Sequence, residues 1–212
     1  MVEILVIRHG QSAGDLLKRF EGQADYSLTE LGNRQAEQLA EWVFNKFKPD
    51  RIYSSPLNRA KETAEALSRR MQMPINFDDA LKEQTNGVLD GRLKEEANLQ
   101  FPLPPGGWKR HEAIEGGESA IQLRARAEIA ISKIMAHVDQ NPDLKRICIV
   151  SHGGMITMLF RSFLNLPYDA SVSIPTGDTG VHIWRYDQGD KKIVSTNLQE
   201  HLIETADKPY TN

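Results

Sequence analysis

A single cysteine among 212 residues excludes an intramolecular disulfide. Cys148 lies inside the apolar run "ICIV", and a buried thiol of that kind fits a reducing compartment, so a cytoplasmic protein is expected. Long hydrophobic runs are missing too, since nothing approaches the ~20 apolar residues of a membrane-spanning helix. The first residues carry Glu3 and lead straight into Arg8 and His9, which is not the pattern of a secretory signal. The chain also lacks an excess of charge of either sign. A net charge of −3 and a pI near 6.1 leave no basic surplus for nonspecific nucleic-acid binding. Any anion the protein binds must be gripped locally. What is present, 40% hydrophobic residues, suffices for one substantial core, so the expectation is one domain over 1–212.

Two short stretches stand out. "ILVIRHGQS" (4–12) and "RICIVSHGG" (146–154) each run from consecutive apolar residues into a histidine and then glycine. Ile4 to Ile7 reads as a strand covered on both faces. Thr29 suits the N-cap of a helix over about 30–47, with Leu31, Ala36, Leu39, Ala40, Val43 and Phe47 at helical spacing. "RIYSS" (51–55) predicts a second strand, and Ser55-Pro56 the cap and first position of a helix running to Met71. "PINF" (74–77) predicts a third strand, Ser119 to about Val138 a helix, "RICIVS" a strand and 154–164 another helix. "TGVHIWRYD" and "KKIVSTN" flank "QGD" as a terminal hairpin, and the last ten residues read as a loose polar tail. Residues 84–117 are crowded with turn-formers and predict a surface excursion with little regular structure at its centre. Strands alternating with helices predict an α/β fold of three layers, with a mostly parallel central sheet, helices on both faces and the excursion over the site.

Ligands in such folds bind beyond the carboxyl ends of the strands. If the two histidine-bearing strands are parallel neighbours, His9 and His152 share one crevice, joined by Arg8, Ser54, Ser55 and Arg59. Arginine forks match phosphate oxygens, and helix N-termini after Ser55 or Gly153 add amide donors. The predicted ligand is a phosphoryl group, which a histidine can accept as a phosphohistidine. Glu83, just after the third strand, fits the proton donor and acceptor that the reaction needs. A zinc site of His9, His152 and Glu83 is the rival reading, and two arginines beside those ligands oppose it. Lys109, Arg110 and His111 are read as a solvated charge run rather than a substrate clamp.

"VIRHGQS", "YSLTELGNRQA", "YSSPLNRAKETA", "GGES" and "IVSHGG" together resemble the histidine phosphatase superfamily, which includes the cofactor-dependent phosphoglycerate mutases. The resemblance covers roughly 4–160. It implies His9 as nucleophile, Arg8, Arg59 and His152 as the phosphate pocket, an acid at Glu83, and neither metal nor cofactor. Gln11, Asp15 and Gln23 join Arg8, Arg59 and His152 as expected substrate-binding residues. Many members carry asparagine where this chain has Asp15, so that carboxylate is expected to turn away or to meet a cationic part of the substrate. The mutases show Glu-Arg-His-Tyr and a later arginine pair where this chain has "EQTNGVLDG" and no pair. The expectation is therefore a metal-independent phosphatase of a small phosphorylated metabolite, ahead of a mutase or a phospho-ligand-binding protein without turnover. The excursion at 84–117 is the expected seat of specificity, and an edge strand of the terminal hairpin is available to pair two chains into a homodimer.

Overall fold

The structure, a computed structural model, describes residues 1–205. Its frame is a six-stranded sheet in the order β3-β2-β4-β1-β5-β6. The strands are β1 (Val2–Arg8), β2 (Arg51–Ser54), β3 (Ile75–Phe77), β4 (Arg146–Ser151), β5 (Val181–Asp187) and β6 (Asp190–Leu198). The pairs β1–β4, β4–β2 and β2–β3 are parallel, while β1–β5 and β5–β6 are antiparallel. The helices are α1 (Ala13–Leu16), α2 (Glu30–Lys46), α3 (Asn58–Met71), α4 (Lys94–Gln100), α5 (Ala120–Gln140) and α6 (Gly153–Phe163).

The consecutive apolar residues of the central strands are explained by burial on both faces. Ile4 and Val6 of β1, with Ile147 and Ile149 of β4, pack into a core with residues of α5 and α6. Leu5 and Ile7, with Cys148 and Val150, pack into a second core with residues of α2 and α3. Side chains alternate across a strand, so each layer takes every second residue and neither face can be polar. This is the expected three-layer α/β arrangement.

Local chemistry sets most helix starts. The Thr29 hydroxyl accepts from the Gly32 amide (3.0 Å), and Ser119 forms a reciprocal capping box with Gln122. Two expectations need correction. First, α3 begins at Asn58 with Leu57 at its N-cap, not at Ser55-Pro56. The Ser55 hydroxyl instead accepts from the Leu57 amide (3.3 Å) and bonds His152, so the turn before the helix has a task of its own. Second, the excursion holds more regular structure than its turn-formers suggested, with a 3-10 turn at Gly87–Leu89 and α4 after it. Leu93 is at the N-cap of α4, and Ala97 is buried against the rest of the molecule. Tertiary packing therefore overrides local composition there. Of the expected polar tail, 203–205 close a 3-10 turn, and the rest lies outside the described residues.

Parallel pairing places the two corners side by side. Arg8 is opposite Ser151 in the β1–β4 register, so the next residues, His9 and His152, leave adjacent strands at the same edge. Ser54 is opposite Val150 and delivers Ser55 and α3 to that edge.

Candidate active site

His9 and His152 are both buried, with ring centroids 5.1 Å apart. Nδ1 of His9 lies 2.8 Å from the Gly10 carbonyl, which can only accept. The proton is therefore on Nδ1, and Nε2 keeps its lone pair. Nε of Arg59 donates to that Nε2 at 3.3 Å. Burial first, then the charges of Arg59 and Arg8, hold the His9 imidazolium well below the usual histidine range. His152 is held low by burial first, then by Arg59. Its Nε2 meets the Ser55 hydroxyl at 2.8 Å, which leaves Nδ1 without a partner among the described residues.

Arg59 is fully buried, not the surface charge its helical neighbours Lys61 and Glu62 suggest. Its Nη groups donate to the carbonyls of Ala24 (3.0 Å) and Gly22 (2.7 Å). Those bonds keep the guanidinium beside His9. Arg8 donates to the Thr176 carbonyl at 2.9 Å and lies against the carboxylates of Asp15 (3.3 Å) and Asp178 (3.7 Å). Asp15 thus does not turn away: it lines the cleft and pairs with Arg8.

Gly10 is required by close approach to backbone, and Gly154 leaves room for the Glu83 side chain. A Cβ on Gly10 would stand 2.7 Å from the Gly32 carbonyl oxygen, and one on Gly154 would stand 2.6 Å from Oε1 of Glu83. The Glu83 carboxylate occupies that space. It accepts from the amides of Gly154 (2.9 Å), Met155 (3.1 Å) and Gln84 (2.8 Å), which seats it at the N-terminus of α6. Arg126 braces the segment by donating to the carbonyls of Lys82 and Glu83 while paired with Glu118. Gln23 also donates to the Glu83 carbonyl (3.0 Å). Gln23 therefore braces the backbone of Glu83. The Gln11 side-chain oxygen accepts from the Thr29 hydroxyl at 2.8 Å.

A cleft of about 360 Å³ opens over these groups, lined by Arg8, His9, Arg59 and Glu83 among others. Sequence reasoning missed Arg19, Lys94 and Glu21, which also line it. Arg19 and Lys94 are delivered by the excursion's docking on the chain after α1, a long-range contact with no local signature. Asp178 was missed for the same reason. Lys109, Arg110 and His111 do not reach the cleft. Lys109 and His111 lie near Glu112, at 3.7 and 3.9 Å.

Glu21 accepts from the Ser12 hydroxyl and lies 3.7 Å from Arg59. Burial raises its carboxyl above the usual range, against the pull of Arg59, and the charge of Asp15 adds to the rise. A charged Glu21 competes with an incoming anion for Arg59, so anions should bind better when it is protonated. Glu21→Gln keeps the shape and removes the charge. Its advantage over wild type in the inhibition constant for inorganic phosphate should grow with pH, reaching roughly tenfold near neutrality, as for a neighbouring charge worth about 1.4 kcal/mol. Weaker phosphate binding in the variant at every pH would show instead that the carboxylate itself is needed.

The arrangement offers a neutral imidazole with an unprotonated Nε2, two guanidinium groups beside it and a carboxyl across the cleft. That set can accept a phosphoryl group and relay one proton. Among the described residues no three His, Cys, Asp or Glu side chains are grouped as a metal ion would need. In the zinc alternative the buried Arg59 guanidinium, 3.3 Å from Nε2 of His9, is a fixed positive charge where the cation would sit.

Comparison with known proteins agrees with this geometry. The chain is 32% identical over 171 residues to glucosyl-3-phosphoglycerate phosphatase of Mycobacterium tuberculosis, covering 77% of this chain and 76% of that protein. It is 28% identical over 213 residues to phosphoglycerate mutase-like protein 4 of Arabidopsis thaliana, covering 96% and 88%. Its backbone superposes on a mycobacterial glucosyl-3-phosphoglycerate phosphatase solved with VO3, with a TM-score of 0.79 at 28% identity, covering 93% of this chain and 99% of that one. Residues 4–199 match the family model of the histidine phosphatase superfamily, branch 1. With both histidine corners, Arg59 and the six-stranded sheet in place, the chain belongs to the histidine phosphatase superfamily.

Proposed function

We propose that this protein hydrolyses the phosphate monoester of a small metabolite through a phosphohistidine on His9, with no metal ion. The observation that carries the proposal is the Nδ1–H bond of His9 to Gly10, which leaves the Nε2 lone pair unprotonated and held only by a long 3.3 Å bond from Arg59, which an incoming phosphate oxygen replaces. Nε2 forms a bond to phosphorus as the P–O bond to the alcohol breaks, and Glu83 gives its proton to the departing oxygen. A water molecule then attacks phosphorus, Glu83 takes back a proton and the N–P bond breaks. Arg8, Arg59 and His152 carry the charge of the transferring oxygens.

The excursion at 84–117 is the proposed specificity region. Beside the cleft lies a cavity of about 280 Å³ whose lining includes Leu89, Phe101, Trp108 and Ile114 of the excursion. It shares Phe20, Gln84 and Asn86 with the cleft, so the body of the leaving group is placed there. The mutase reading keeps one observation in its favour, because Arg19 and Lys94 supply cations at the cleft for a second acidic group. The outer edge of β6 is the surface along which two copies would form a homodimer, and Lys191 and Lys192 there oppose strand addition. No helix among the described residues is long and apolar enough to cross a membrane, and a buried free Cys148 supports a cytoplasmic location.

A screen of phosphorylated metabolites in EDTA tests the proposal. Phosphate release should proceed unimpaired, because the cations of the site are side chains. Isomerisation faster than release would establish the mutase reading, and activity that needs added zinc would end the metal-free one. No turnover and no phosphoenzyme across the panel would leave a ligand-binding protein.

A further inference from the structure

Three arginines converge on a cavity well away from the cleft. Arg110 of the excursion, Arg124 of α5 and Arg161 in the last turn of α6 line a space of about 200 Å³, together with Tyr168 and Asp169. None of its lining residues lines the cleft. Arg161 lies eight residues beyond Gly153, so α6 separates the two sites by roughly 12 Å at 1.5 Å per residue.

The three guanidinium groups are incompletely neutralised. Arg124 is buried and pairs with Glu128 at 2.7 Å, and its Nη2 donates to the carbonyls of Arg161 (3.4 Å) and Leu166 (3.1 Å). Its Nη1 has no hydrogen-bond partner among the described residues. A buried donor left unmade is costly and calls for an acceptor. Arg110 spends its hydrogen bond on the Asp169 carbonyl (3.1 Å) and lies over the Tyr168 ring, while Arg161 donates to the Val172 carbonyl (2.5 Å). Neither is in an ion pair among the described residues. Against three positive charges stand the carboxylates of Glu128 and Asp169. Burial and the charges of Arg124 and Arg110 weaken the hold of Arg161 on its proton. Crowding of like charge around an open space, with planar donor forks, is what an oxyanion relieves.

We infer that this cavity is a second binding site, separate from the catalytic cleft, for a phosphate-type oxyanion held by Arg110, Arg124 and Arg161. An anion there ties the excursion to α5 and α6, so its occupancy bears on the segment placed around the leaving group.

The test is isothermal titration of the full chain with methylenediphosphonate, whose P–C–P bridge phosphoryl transfer does not cleave. One site should survive Arg59→Ala, which disables the cleft, and should weaken at least tenfold when Arg161→Gln or Arg110→Gln is added. No binding to a folded Arg59→Ala protein, or binding that both added changes leave intact, overturns the inference. If Arg59→Ala does not fold, the wild-type protein decides. Its number of sites falls by one in Arg110→Gln, at an exposed position, or the inference fails. The result is independent of turnover, so it stands or falls apart from the phosphatase reading.

Discussion

Replacing His9 with alanine is expected to remove the phosphoenzyme and lower turnover by ~10⁴-fold or more, the scale seen when a covalent nucleophile is deleted. The expectation rests on the proton position. With Nδ1 donating to Gly10, the Nε2 lone pair is the one nucleophilic nitrogen facing Arg59, and burial beside two arginines keeps it unprotonated. Among the described residues His152 is the rival at close range; its Nε2 meets Ser55 and its Nδ1 has no partner, so the phosphoenzyme assay on the variant is what separates the two histidines. The variant should still bind inorganic phosphate within several-fold of wild type, because Arg8 and Arg59 remain, which separates loss of chemistry from loss of fold. Rapid alkaline quench with labelled substrate reads the phosphoenzyme directly. A variant that keeps a tenth of wild-type activity would disprove the assignment of His9.

Glu83→Gln should discriminate by leaving group. Glutamine keeps the size of the side chain, but its one carbonyl oxygen can replace only Oε1, toward Met155 and Gln84, or Oε2, toward Gly154, and it neither gives nor takes the proton. An alkyl phosphate, whose alcohol leaves with a high pKa, should lose ~10²–10⁴ in the first chemical step, the usual worth of general acid catalysis. A nitrophenyl ester leaves without help and should lose far less in that step. Burst measurements are needed because the second step also uses Glu83, as base toward water. Equal losses for both esters in the burst would remove Glu83 from the acid role and make it a positioning residue at the start of α6.

The strand-and-corner plan was legible in the residues because it is local or nearly so. Four consecutive apolar residues before Arg8 require burial on both faces, which only a covered sheet provides. Thr29 and Ser119 announce their helices through hydroxyl caps that need nothing beyond the next turn. The two histidine-glycine corners, with Arg59 at the second position of α3, marked the candidate site once parallel pairing was assumed. Tertiary structure decided what depends on contacts between distant segments. The sequence left open which nitrogen of His9 carries the proton, that Arg59 is buried, and that Asp15 pairs with Arg8. It also left open the placement of Glu21, Arg19 and Lys94 in the cleft. The His9 proton is fixed by the carbonyl of the next residue, Gly10, but the others turn on a direction in space set by a partner between seven and 76 positions away, and charge type alone carries no direction. Periodicity and capping encode where the backbone goes, whereas the state of a charged group depends on desolvation and on neighbours that only the closed fold supplies.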